Sequence, residues 1–249
     1  MKKLETFIFV HDQNIIIDFE EKSKFNSLGD LKYVLVGMGG YDKVENNPKV
    51  IVCQKYDDHM EDFPKMTSYT GWYILWKHNL VKSEYVNLFE YDVNCADNFY
   101  NTVLESLNPD VDFVSYFPMN LGDPVYVKMR QYVDELITSI KQKTKIDIDK
   151  IIDEKIQNDY FSFWSSSSNS TWKTSVWEKY MEWFDQFVDD ILDSNFCGHM
   201  HERSISFFHF VFNCKVIDIK NLMTHFQFNT HGTSPLAKDR FNQLYKNLF

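Results

Sequence analysis

The sequence predicts an α/β fold, a mostly parallel sheet sandwiched by helices and continued by a mainly helical second half. Short apolar runs bounded by turn residues recur from Thr6 to Phe117, as in strands buried on both faces of a parallel sheet. Helical patterns lie between these runs, and from Asp123 onward helical spacing takes over.

The first run, Thr6 to Val10, leads into the polar His11-Asp12-Gln13-Asn14. Tyr33 to Val36 follows and is closed by Gly37-Met38-Gly39-Gly40, where glycines let backbone approach a ligand closely. This is not a dinucleotide fingerprint, because no GxGxxG turn leads into a helix. Val50 to Cys53, Tyr85 to Phe89 and Phe113 to Phe117 complete the set. Between them, Ser68 to Leu80 places Trp72, Tyr73 and Trp76 at helical spacing, and Asp97 to Leu107 reads as a helix capped by Asp97 and stopped before Pro109.

In the second half, Val125 to Lys143, Asp147 to Asn158 and Val176 to Leu192 read as helices, and Val216 to Ile219 as a closing strand. The run Ser165 to Ser170 is expected to be an ordered polar loop beside a pocket, flanked by Trp164 and Trp172. No internal repeat breaks the chain, so residues 1–249 are expected to form one domain.

Composition narrows the function. At 249 residues and 44% hydrophobic, the chain can bury a full core, and 17% aromatic residues exclude a disordered reading. A net charge of −10 without a Lys/Arg stripe argues against nucleic acid as a partner, since phosphate binding needs a cationic face. The four cysteines form no CxxC pair and do not read as a disulfide framework. The start, Met1-Lys2-Lys3-Leu4-Glu5, fits a strand better than a signal peptide, and no stretch reaches the roughly 20 apolar residues of a membrane span. A reduced, cytoplasmic setting is expected.

The chemistry centres on Glu90 and Asp92 in Leu88-Phe89-Glu90-Tyr91-Asp92-Val93. Ligands of open α/β sheets bind beyond the carboxyl ends of strands. Two acids one residue apart point to one side there if the chain is extended, as suits Mg²⁺ or Mn²⁺. Equally, two such acids could simply end a strand and cap the helix after it. Ahead of them stands Tyr69-Thr70-Gly71-Trp72-Tyr73-Ile74-Leu75-Trp76-Lys77-His78-Asn79; behind them stand Gly198-His199-Met200-His201-Glu202-Arg203 and Leu222-Met223-Thr224-His225-Phe226-Gln227. Together these resemble the GT-A-type nucleotide-sugar glycosyltransferases of large DNA viruses and bacterial capsule or polysaccharide loci. Where those enzymes carry Asp-x-Asp, this chain reads Glu90-Tyr91-Asp92.

The resemblance implies a GT-A-like fold, with residues 1–120 as the nucleotide-sugar half and 121–249 as the acceptor and catalytic half. It implies Asp92 and His225 as ligands of Mn²⁺ or Mg²⁺, a UDP- or GDP-sugar as donor, a glycan or other hydroxyl as acceptor, and Glu202 as the base of an inverting transfer. The donor side would draw on His11, Asp12, Gln13, Gly37, Thr67, Tyr69, Trp72, Lys77, Glu90, Tyr91 and Arg203. Lys77 is the expected cation for the diphosphate, and the aromatic stretch Phe161 to Trp177 the expected acceptor wall. His231-Gly232-Thr233 could close over the diphosphate. A viral chain would work in the host cytoplasm.

Other readings remain open at this stage. Lys77 reads equally as a solvated helix lysine, and Glu202-Arg203 as an ion pair at a helix start. Cys197-x-His199-x-His201, on one face of a strand, contains zinc-compatible atoms without the usual spacing. A metal-dependent phosphoesterase or nuclease could use Glu90, Asp92 and His225, and Trp164, Trp172 and Trp177 would suit a carbohydrate-binding module.

Overall fold

The first apolar run folds as β1 (Leu4–Val10), and every one of its seven residues is buried. Side chains alternate across it: Phe7 and Phe9 join one core layer, Ile8 and Val10 the other. A strand with two covered faces belongs in the middle of a parallel sheet, and β1 pairs in parallel with both β2 (Asp30–Leu35) and β4 (Tyr85–Glu90). The structure, a computed structural model, describes residues 4–120, 132–157, 163–165 and 168–225.

The remaining strands are β3 (Val50–Val52), β5 (Val93–Cys95), β6 (Phe113–Ser115), β7 (Pro118–Asn120), β8 (Phe163–Ser165), β9 (Ser170–Lys173), β10 (Val216–Asp218) and β11 (Met223–His225). The main sheet has seven strands in the order β10-β6-β9-β4-β1-β2-β3. All pairings are parallel except those of β9, which is antiparallel to β4 and β6. Two small antiparallel ribbons, β5–β11 and β7–β8, stand apart from it.

Helices α1 (Gln13–Glu21) and α3 (Phe99–Ser106) cover the face of Ile8 and Val10 through Ile16, Phe19, Phe99 and Val103. The opposite face carries α2 (Tyr69–Lys77), α4 (Asp134–Thr144), α5 (Ile148–Gln157), α6 (Thr174–Ile191) and α7 (Cys197–Phe212). In α6 the apolar residues Trp177, Tyr180, Phe184, Phe187 and Ile191 recur every three or four positions and are all buried, which seats the helix on its neighbours. Helix α7 is buried nearly all round, polar residues included, and runs through the core.

Three expectations needed correction. Cys197-x-His199-x-His201 is the first turn and a half of α7, not a strand, so those side chains do not share one face; among the described residues no group of three His, Cys, Asp or Glu could hold a metal. The helix after Asp97 begins at Phe99 with Asn98 at its cap, and no side chain caps it. The polar run before Trp172 is not all loop, because Ser170 and Thr171 begin β9, buried at the centre of the sheet. The start of the helix expected from Val125 lies partly outside the described residues, as does His231.

Polar strand residues survive in the core because they satisfy one another. Thr6 Oγ1 donates to the Leu28 carbonyl at 3.1 Å, and Asn87 Nδ2 donates to Thr6 Oγ1 at 2.9 Å. Thr171 Oγ1 donates to Asn87 Oδ1 at 2.5 Å, and Tyr116 Oη lies 2.5 Å from Thr171 Oγ1. This relay crosses β1, β4 and β9 without leaving a costly unpaired group.

Candidate functional site

The strand order places the site. From β1 the chain runs outward through β2 to β3, and then returns to the other side of β1 as β4. The crevice beyond the carboxyl ends of β1 and β4 is therefore a topological switch point, where open sheets bind ligands. A cavity of about 570 Å³ opens there. It is lined by the ends of three strands (Phe9 and His11, Val36 and Gly37, Glu90 and Tyr91), by the start of α2 with the turn before it, and by the first turns of α7.

Each wall has a local cause. Tyr91 N–H donates to the Phe9 carbonyl at 3.2 Å, tying the end of β4 to β1, and the His11 ring meets the Tyr91 ring edge-on at 4.9 Å. Gly37 has φ +86°, a conformation that favours glycine, and its N–H donates to the Glu61 carboxylate. Gln54 Nε2 donates to the Gly37 and Gly39 carbonyls, fixing the loop after β2. On the α7 side, a Cβ at Gly198 would stand 2.6 Å from the Lys65 carbonyl, so only glycine permits this approach of α7 to the turn carrying Lys65 and Thr67.

Three carboxylates line the cavity: Glu61, which accepts from the Gly37 N–H, Glu90 from β4 and Glu202 from α7. Glu90 accepts hydrogen bonds from Ser168 Oγ (2.8 Å) and Ser68 Oγ (3.3 Å), and its own N–H donates to Asn169 Oδ1 at 2.7 Å. Burial, then the Asp92 and Glu202 charges, raise its carboxyl above the ordinary range despite those donors. Glu202 goes the other way. Burial alone would raise it, but His199 and the Arg203 guanidinium together outweigh burial and hold it below the usual value. Arg203 Nη1 lies 2.5 Å from Glu202 Oε2, and the same nitrogen donates to the His199 carbonyl at 3.1 Å.

The structure brings His11, Gly37, Thr67, Glu90, Tyr91 and Glu202 to one cavity. It does not bring the other expected residues there. Asp12 caps α1, accepting from the Asn14 N–H at 2.8 Å. Gln13 is bound to the loop after β2, donating to Asp42 Oδ1 and accepting from Lys43 N–H. Tyr69 and Trp72 are fully buried against His201, with ring centroids 5.0 and 4.8 Å from it. Lys77 is exposed in the last turn of α2, over the Tyr73 and Trp76 rings, while the cavity meets only the start of that helix. Arg203 is 2% exposed and does not line the cavity, but it contacts Glu202 and His199, which do.

Asp92 is also buried and does not line the cavity wall. Its charge acts on Glu90 on one side and on the half-buried Lys24 amine on the other. His225 closes β11, and its backbone stands opposite Val93, the residue after Asp92. As donor chemistry the hard oxygens of Glu90 and Asp92 fit a divalent cation, whose charge would relieve their mutual repulsion.

Sequence reasoning missed Lys65 and Glu61, and it placed Ser168 and Asn169 in a polar loop beside a pocket without giving them partners. Lys65 lines the cavity with its Nζ donating to Asn195 Oδ1 at 2.6 Å. Glu61 is 2% exposed, and burial raises its carboxyl. Lys65 sits in a single 3-10 turn, a setting with no periodicity to mark it.

Trp172 and Trp177 are 0% and 1% exposed, which removes them as sugar-stacking surfaces. Among the described residues no helix is long and apolar enough to cross a membrane.

No protein-family model matches the sequence, and no curated protein matches it. Among solved structures, the apo form of the bifunctional glycosyltransferase WbbM aligns with a TM-score of 0.63 at 13% identity, over 91% of this chain and 46% of that one. The chain thus spans less than half the length of that protein. The galactosyltransferase LgtC, in complex with donor and acceptor sugar analogues, aligns more loosely, with a TM-score of 0.41 at 12% identity over 97% of this chain and 95% of that one. Taken with the mixed, mostly parallel seven-stranded sheet between helices, the WbbM likeness shows that the fold of this chain is GT-A-like.

Proposed function

We propose that this chain is a nucleotide-sugar-dependent glycosyltransferase whose donor occupies the cavity at the β1/β4 switch point. The observation that carries the reading is the pair of carboxylates on that cavity, Glu90 and Glu202, with their ionisation driven in opposite directions. A cavity of about 570 Å³ lies within the range of small-molecule sites. Lys65 and the starts of α2 and α7 supply positive character for a diphosphate inside an otherwise acidic protein.

In this reading Glu202 is the base of an inverting transfer. Held ionised by His199 and Arg203, it takes the proton of an acceptor hydroxyl while that oxygen bonds to the anomeric carbon. The bond from that carbon to the diphosphate oxygen breaks, and the nucleoside diphosphate leaves. Asp92 and His225, with Glu90 beside them, would hold Mn²⁺ or Mg²⁺, which supplies charge neutralisation of the diphosphate when bound. Lys65 takes the phosphate role that the sequence suggested for Lys77. Residues 1–120 carry the donor side, while 121–249 bring Glu202 and the acceptor side. A cytoplasmic role in viral or bacterial glycan synthesis belongs to the same proposal.

A donor-hydrolysis screen over UDP- and GDP-sugars, with and without Mn²⁺, tests it. The expected result is metal-stimulated release of one nucleoside diphosphate that D92A abolishes. If no donor is bound or hydrolysed with metal, and D92A behaves as the wild type, the reading is wrong.

A further inference from the structure

Next to His199, which lines the cavity beside Glu202, Phe196 and Tyr132 form an aromatic cluster. Phe196, the cap residue of α7, is 40% exposed, although a phenylalanine at a helix start is stabilised by burial. Its ring stands 4.6 Å from that of Tyr132 and lies nearly parallel to the His199 ring, 23° apart at 6.4 Å. Tyr132 and His199 are 6.0 Å apart, so the three rings form one cluster. His199 and the neighbouring Asn195 line the cavity, and His199 Nδ1 is 3.7 Å from Glu202 Oε2.

We propose that Phe196 and Tyr132 form a stacking platform for a pyranose ring of a saccharide acceptor, presenting one of its hydroxyls to Glu202. The inference rests on the glycosyltransferase reading and narrows its acceptor from any hydroxyl compound to a saccharide. A sugar ring has an apolar face of C–H groups and an edge of hydroxyls. An exposed aromatic face takes the first while polar neighbours take the second. Here the polar neighbours are Asn195, His199 and Glu202, all on the same rim. Of the Phe161 to Trp177 stretch expected as acceptor wall, the indoles of Trp172 and Trp177 are buried, while Phe161 and the Trp164 side chain lie outside the described residues.

The test compares wild type, F196A, F196W and Y132A with the preferred sugar nucleotide as donor and methyl glycosides of glucose, galactose, mannose and rhamnose as acceptors. Glycerol serves as a hydroxyl acceptor without a ring. Both transfer and donor hydrolysis are measured. F196A is expected to lower the ratio of saccharide transfer to hydrolysis about tenfold through the acceptor KM, as loss of a stacked ring would. F196W is expected to restore it, and transfer to glycerol should not follow the same trend. Unchanged ratios in both F196A and Y132A would overturn the platform. So would glycerol matching the best glycoside in the wild type. A wild type that hydrolyses no donor overturns the transferase reading instead, and this inference falls with it.

Discussion

Arg203 Nη1 lies 2.5 Å from Glu202 Oε2, and the arginine is 2% exposed while the glutamate side chain is 22% exposed. A buried cation thus holds a carboxylate that itself reaches the cavity. E202Q keeps the shape of the pair and removes the proton acceptor. Transfer is expected to fall about 10² to 10⁴-fold with the acceptor and donor KM little changed. E202A should in addition lower stability by about 3 kcal/mol, since it removes the carboxylate that pairs with the buried Arg203 charge. Steady-state kinetics and urea unfolding check the two effects separately.

Arg203 acts through Glu202. Without its charge, part of what offsets burial is gone, and the Glu202 carboxyl rises relative to wild type. The base is then ionised only at higher pH, so the acid limb of the pH–kcat/KM profile in R203Q should move upward relative to wild type. A role in packing alone would lower activity by the same factor at every pH.

Two glycines on the cavity should respond differently to alanine. G198A drives a Cβ to within 2.6 Å of the Lys65 backbone carbonyl, which must shift and carry Lys65 and Thr67 with it. A loss of about 1–3 kcal/mol is expected, together with a higher donor KM. At Gly37 nothing stands within 4 Å of a new Cβ, but φ is +86°. G37A should cost about 1 kcal/mol from backbone strain alone. Chemical denaturation of both variants tests the contrast.

Two histidines make the fold acid-sensitive. His201 and His209 are buried, both ring nitrogens of each lack a hydrogen-bond partner among the described residues, and burial lowers each to about 3. The unfolded chain takes up a proton on each near pH 6.5, whereas the folded chain does so only near 3. Their contribution is therefore complete above about pH 6.5 and is lost as the pH falls towards 3. Within that window each adds about 1.4 kcal/mol per pH unit to the slope of stability against pH. H209F should lower that slope by one such increment when unfolding is followed from pH 7 to 4.

The strands on both faces of β1 were legible because continuous apolar runs leave few alternatives, and the expected runs from Thr6, Tyr33, Val50, Tyr85 and Phe113 all contain strands. β9 was hidden because Ser170 and Thr171 look like loop residues. Their burial depends on Asn87, Thr6 and Tyr116, which come from distant parts of the chain. Helix α7 was hidden for a related reason. A helix that buries polar and apolar residues alike has no contrasting face, and its histidines suggested ligands rather than core. At the site, strand ends were readable from the switch-point rule, which located His11, Gly37, Glu90 and Tyr91. Lys77 looked suitable because the motif gives no direction along its helix.

The insertion of β9 between β4 and β6 has a consequence for how the chain is made. β4 ends at Glu90, but its partner on one side, Ser170–Lys173, is synthesised about 80 residues later. Until then β4 presents an open edge on an emerging nascent chain, and the Ser168 donor and Asn169 acceptor that hold Glu90 do not yet exist. The first half can therefore collapse on the ribosome without becoming competent. A fragment ending near residue 120 should be sticky and inert, whereas a supplied second fragment carrying β9 could complete it by strand addition.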